Sequence, residues 1–138
     1  MKKVLLFLTI GMMLISACKS SKGTSGTSNK NSTSVTTVST DKTYGFTQEN
    51  PIKVGGTGSG PANERKYLDA LAGPNGESIS YVRVGSCCSF KTPNGLMGAG
   101  FLDRYEVTWS GQASPVYLYL NMYDKDELKA PVVFTIKK

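Results

Sequence analysis

Val116-Tyr117-Leu118-Tyr119-Leu120-Asn121-Met122-Tyr123 decides the fold. Val116, Leu118, Leu120 and Met122 alternate with Tyr117, Tyr119, Asn121 and Tyr123, the period of two that marks a half-buried strand. Upstream, Phe101 to Trp109 repeats the pattern, with Phe101, Tyr105, Val107 and Trp109 on one face and Leu102, Arg104, Glu106 and Thr108 on the other. Earlier still, Ser78 to Phe90 sets Val82 and Val84 against Ile79, Tyr81 and Arg83. Val132, Phe134 and Ile136 supply a last strand. Pro93-Asn94-Gly95 reads as a hairpin-like turn, and Gly98-Ala99-Gly100 as a bulge or a close backbone approach.

Ahead of these strands the period changes. Pro61 to Ala72 predicts the one convincing helix, with Pro61 in its first turn and Gly73 able to cap its end. Glu64 is expected in the first turn, where the dipole favours an anion. Tyr67, Leu68 and Leu71 form the apolar stripe, while Asn63, Arg65, Lys66 and Asp69 face out. Pro51-Ile52-Lys53-Val54 is a short strand, placed at an edge by its proline. The expected architecture is α+β, a single antiparallel sheet of four or five strands with one helix packed on it.

The N-terminal third is different in kind. Lys2 and Lys3 precede an apolar run, Val4 to Ile15. At about a dozen residues it falls well short of the roughly 20 needed to span hydrocarbon, so it reads as a secretory signal. Ile15-Ser16-Ala17-Cys18 then resembles the lipobox of bacterial lipoproteins. That resemblance implies cleavage after Ala17, a diacylglyceryl thioether on Cys18 and acylation of the new amine. Chemistry agrees, since a thiolate is the nucleophile that takes the lipid, and two or three acyl chains anchor where one barely does. Lys19 in place of aspartate implies an outer-membrane destination. From Lys19 to Lys42 almost every residue is Ser, Thr, Gly, Asn or Lys, with Val35 and Val38 the apolar exceptions. The expected organisation is therefore a signal peptide over 1–17, a lipidated cysteine with a disordered tether over 18–42, and a globular domain over 43–138.

Composition limits function. The net charge of +6 sits mostly in the leader and tether. Thr43 to Lys138 carries ten Lys/Arg against nine Asp/Glu, which leaves it nearly neutral and without the basic footprint of a nucleic-acid binder. The chain contains no histidine, which excludes Ser-His-Asp and Cys-His nucleophilic sites and HExxH metal sites. Asp103 and Glu106 fall on opposite strand faces and form no obvious acid/base pair. Asp124, Asp126 and Glu127 could hold calcium weakly, but they lack a full oxygen-ligand loop and read first as a polar turn. No cofactor or metal is called for.

Three features remain open. Cys87-Cys88 admits three readings: a strained vicinal disulfide that needs a distorted or cis peptide, two buried thiols, or a redox or metal pair. Gly56-Thr57-Gly58-Ser59-Gly60 before a helix suits an anion, yet it lacks the Lys-Ser/Thr of a P-loop and reads first as a connector. Tyr117, Tyr119, Asn121 and Tyr123, with Arg83 and Arg65 nearby, make a candidate binding face for a sugar or a protein if solvent reaches it.

The domain is also similar to a family of small Gram-negative lipoproteins of unknown function. The similarity rests on Tyr44-Gly45-Phe46, Asn50-Pro51-Ile52-Lys53-Val54-Gly55-Gly56, Gly60-Pro61-Ala62-Asn63-Glu64-Arg65, Gly85-Ser86-Cys87-Cys88, Thr92-Pro93-Asn94-Gly95 and Leu118-Tyr119-Leu120-Asn121-Met122-Tyr123. Some members carry the label 2-dehydro-3-deoxyphosphooctonate aldolase. Enzymes of that name are barrels of about 250 residues, for which this chain has no room. The expectation is a lipid-anchored, non-enzymatic binding module at the cell envelope, with an envelope protein or a glycan as partner. The alternatives are a small hydrolase or transferase built on Glu64, Arg65, Arg83, Asp103 and the cysteine pair, and an envelope inhibitor or immunity-type protein.

Overall fold

The computed structural model describes residues 34–56 and 59–138. The signal peptide, Cys18, most of the tether and Thr57-Gly58 of the glycine loop lie outside these residues. The order of elements is β1 (Ile52–Lys53), α1 (Gly60–Asp69), β2 (Leu71–Ala72), β3 (Ile79–Leu96), β4 (Ala99–Trp109), β5 (Val116–Asn121) and β6 (Thr135–Ile136). One sheet runs β1-β5-β4-β3, antiparallel except for the parallel β1–β5 pair, and a second, two-stranded sheet joins β2 to β6. The fold is α+β, with a small second sheet that the sequence does not announce.

The alternation in β5 does what it implies. Leu118 and Leu120 are fully buried while Tyr117 is exposed. Across the sheet, Tyr81, Val107 and Val116 share one row and Arg83, Tyr105 and Leu118 the next, all toward the covered side. Ile52, Val54, Tyr67, Leu68, Leu71, Leu128 and Phe134 close the core over them.

α1 starts at Gly60 and ends at Asp69, short of the expected Ala72. Tertiary pairing explains the early stop. Leu71 and Ala72 pair with Ile136 and Thr135, and the Lys137 N–H donates to the Ala70 carbonyl at 2.9 Å. One further expectation needs correction. The tight turn of the β3–β4 hairpin is Met97-Gly98, with φ of 55° and 78°, the two left-handed residues of a type I′ turn. Pro93-Asn94-Gly95 instead lies in a register shift between Lys91 and Leu96. Gly100 is the close approach, since a Cβ there would sit 2.8 Å from the Tyr123 ring.

The docked part of the chain also begins before Thr43. Val35 is buried, the Ser39 N–H donates to the Ala130 carbonyl at 2.7 Å, and the Ala130 N–H donates to the Thr37 carbonyl at 2.8 Å. Residues 34–42, expected as tether, thus add a rung beside Ala130.

Candidate functional site

Three residues far apart in sequence meet where α1 crosses the sheet. Asp103 on β4 receives Arg83 from β3 in a bidentate pair, Nε to Oδ2 at 2.6 Å and Nη2 to Oδ1 at 2.7 Å. The Ser86 hydroxyl donates to the same Oδ1 at 2.7 Å, and Arg83 Nη2 also donates to the Ser86 oxygen at 2.5 Å. From the helix comes Glu64, whose Oε2 accepts the Tyr105 hydroxyl at 2.9 Å. Glu64 and Asp103 are 0% and 1% exposed.

Two carboxyls against one guanidinium cannot both ionise cheaply in such a place. Burial pushes Glu64 up to about 7, and the neighbouring Asp103 charge pushes in the same direction. Burial also raises Asp103, but hydrogen bonds from Arg83 and Ser86, with the guanidinium charge, outweigh it and hold Asp103 below its ordinary value. Glu64 Oε1 is buried and accepts no hydrogen bond. The two carboxyls also act on each other, Asp103 raising Glu64 and Glu64 lowering Asp103, which fits a neutral Glu64 beside an ionised Asp103. The arrangement is a one-proton carboxyl pair with a tyrosine on one side and an arginine on the other.

Glu64, expected in the first turn, lies in the second and faces inward. The signal was present in the spacing: Glu64, Tyr67, Leu68 and Leu71 occupy i, i+3, i+4 and i+7, so the carboxyl falls on the apolar stripe. Asp103 and Glu106 do occupy opposite faces. Asp103 joins the network and Glu106 accepts the Tyr117 hydroxyl at 2.9 Å.

One bulge beyond Ser86, Cys87 and Cys88 are joined in a disulfide, with Cα atoms 3.7 Å apart and no cis peptide among the described residues. The accommodation is in the backbone. Cys88 has φ of 58°, and the ladder shifts register between Cys87, opposite Leu102, and Ser89, opposite Phe101. Cys88 lines a depression with Gln48, Glu49, Ser89, Phe90 and Leu102.

The tyrosine face is only partly what its spacing implied. Tyr117 shares a row with Val82 and Glu106 on the side away from the helix, and is 43% exposed. Its ring carries the Arg104 guanidinium 5.2 Å from the centroid. Tyr119 is half-buried. Asn121 is buried as the organiser of a turn: its Oδ1 accepts the Tyr123 and Asp124 N–H groups, and its Nδ2 donates to Asp124. Tyr123 packs edge-on against Phe90. Arg83 belongs to the opposite, covered face, and Arg65 is exposed on α1, so neither joins Tyr117. Asp124, Asp126 and Glu127 do not converge. Asp124 accepts from Thr92, Asn94 and Asn121, Asp126 faces Lys53 at 3.7 Å, and Glu127 faces Lys129 at 3.5 Å.

No family model matches the chain, and no curated protein or solved structure matches it.

Proposed function

We propose that this chain is a lipid-anchored cell-envelope lipoprotein, held at the outer membrane, whose domain is a non-enzymatic module that binds a protein partner. The anchor rests on Ile15-Ser16-Ala17-Cys18 and the short apolar run before it. The observation that carries the binding reading is the uncovered sheet face, where Val82 is 66% exposed beside Val84, Tyr117 and Arg104. Tyr and Arg are the residue types that dominate protein interfaces, and exposed valines gain most from being covered. A glycan fits less well, because the ring face it would stack on is already occupied by Arg104.

The test uses the full chain in the cells that make it. A photoreactive residue at Val82 is expected to give one discrete protein adduct, lost in Tyr117→Ala and Val84→Asp variants that melt as the parent does. A glycan adduct, or an adduct indifferent to those variants, overturns the reading. Cys18→Ala is expected to abolish fatty-acid labelling and sedimentation with membranes. An inhibitor or immunity-type role would appear as a stoichiometric complex with one enzyme.

The convergence of Glu64, Asp103 and Arg83 favours a second reading, the small envelope enzyme. Against it, both carboxyls are shut from solvent and offer no face to a substrate. Glu64→Gln mimics the neutral acid, so a variant with undiminished phenotype removes this alternative.

A further inference from the structure

β3 is an edge of its sheet, and no described strand pairs with it on the side away from β4. A free edge is a template for another strand, and proteins blunt it with charge, proline or a bulge. Between Arg83 and Lys91 the first two are missing. Val84-Gly85-Ser86-Cys87-Cys88-Ser89-Phe90 has no charge and no proline, the composition of a self-pairing segment. Arg83 is itself neutralised by Asp103. Two register shifts interrupt this stretch, one at Val84 and one at Cys88, and the second is the one the cysteine pair imposes.

In a regular strand, neighbouring side chains point to opposite faces. Two adjacent sulfurs bonded to each other cannot do so, and the bulge is obligatory while the bond exists. The bond has little else to offer, because a cross-link between neighbours closes the smallest possible loop and so constrains the unfolded chain least. Without it, Cys88 would hold, at φ 58°, a left-handed conformation that ordinary residues rarely adopt.

We propose that the Cys87–Cys88 disulfide is a reducible guard on the free edge of β3, and that the reduced protein pairs edge to edge with a second copy of itself through Val84 to Phe90. The partner is a second copy because the uncharged segment is its own complement across a two-fold axis. Reduction is by a dithiol. Its first thiolate attacks one sulfur, its second resolves the mixed disulfide, and two electrons and two protons pass to Cys87 and Cys88 while the reductant becomes a disulfide. Cys88 lies at a surface depression, within reach of such an attack.

The experiment is sedimentation of the full mature chain over a range of concentrations, oxidised and after treatment with dithiothreitol, with intact mass reporting the gain of two hydrogens. The oxidised form is expected to be monomeric and the reduced form to dimerise with rising concentration. Cys87→Ser/Cys88→Val dimerises without reductant, and adding Ser89→Lys to it restores the monomer. Amide exchange slows across Val84–Phe90 in the dimer alone. Reduced protein and the double variant both staying monomeric overturns the proposal, as does a dimer whose exchange at these residues is unchanged. If reduction abolishes cooperative melting, the double variant decides. Should it also fail to fold, the bond is a staple and the proposal falls.

Discussion

Glu64→Gln should remove a pH dependence that the parent protein carries through the neutral range. The folded protein holds the Glu64 proton up to about pH 7, against an ordinary value of 4.5. Between those values the folded state binds a proton that the unfolded chain has released. Stability therefore falls as pH rises. This group's contribution is full below about 4.5 and is lost on passing about 7. A gap of about two and a half units at 1.36 kcal/mol each is about 3 kcal/mol. Asp103 and Asp124, both held below their ordinary value, act with the opposite sign and below the ordinary carboxylate range, so they do not mask the trend. Glutamine copies the neutral acid: its oxygen can accept from Tyr105, and it places no second negative charge beside Asp103. At pH 5 the variant should match the parent within about 1 kcal/mol. At pH 8 it should be more stable by about 2–3 kcal/mol, a urea midpoint higher by roughly 2 M at an m-value near 1.5 kcal/mol/M. The measurement is a set of urea titrations from pH 5 to 8. A variant that keeps the parental slope, or is weaker than the parent at pH 8, refutes the shared-proton argument.

Met97 sits at φ 55° with its side chain 96% exposed, so Met97→Asn, a residue suited to that turn position, should stabilise the hairpin by about 0.5–1 kcal/mol in thermal melts. Leu118→Ala empties a fully buried site in the middle of β5 and should cost about 2–5 kcal/mol by the same assay. Val35→Asp should free the segment beside Ala130. Limited proteolysis that leaves residues 34–42 intact in the parent should then cut within them, and equal resistance in both proteins would show that Val35 does not hold the segment.

Local periodicity carried the parts of the fold that depend on local chemistry. Alternation placed β4 and β5 correctly, and Pro61 with Tyr67 and Leu68 located α1 within a residue of its start. What escaped depends on partners remote in sequence. Nothing near Leu71 announces Ile136, nothing near Val35 announces Ala130, and the end of the helix and the start of the docked chain were misplaced for that reason. The three register shifts of β3 interrupt an alternation that looks regular on the page, and Met97-Gly98 lacks the usual Asn-Gly signature of its turn. The carboxyl pair was half legible: Glu64 betrays itself by falling on an apolar stripe, whereas its neighbour Asp103 is fixed only by β-sheet register.

The parallel pairing of Ile52 with Leu120, the Val38–Ala130 bridge, the bond from Tyr67 to the Lys129 carbonyl and the Leu71–Ile136 pair all join the early chain to its last stretch. A nascent copy emerging N-terminus first can zip the β3–β4–β5 meander from neighbouring segments, but its leading half must wait for the tail. Loop closures of that length are slow, so the meander forms early and the flanks latch last. Clipping the C-terminus ahead of Leu128 would accordingly leave a hairpin-rich kernel with an unfastened front.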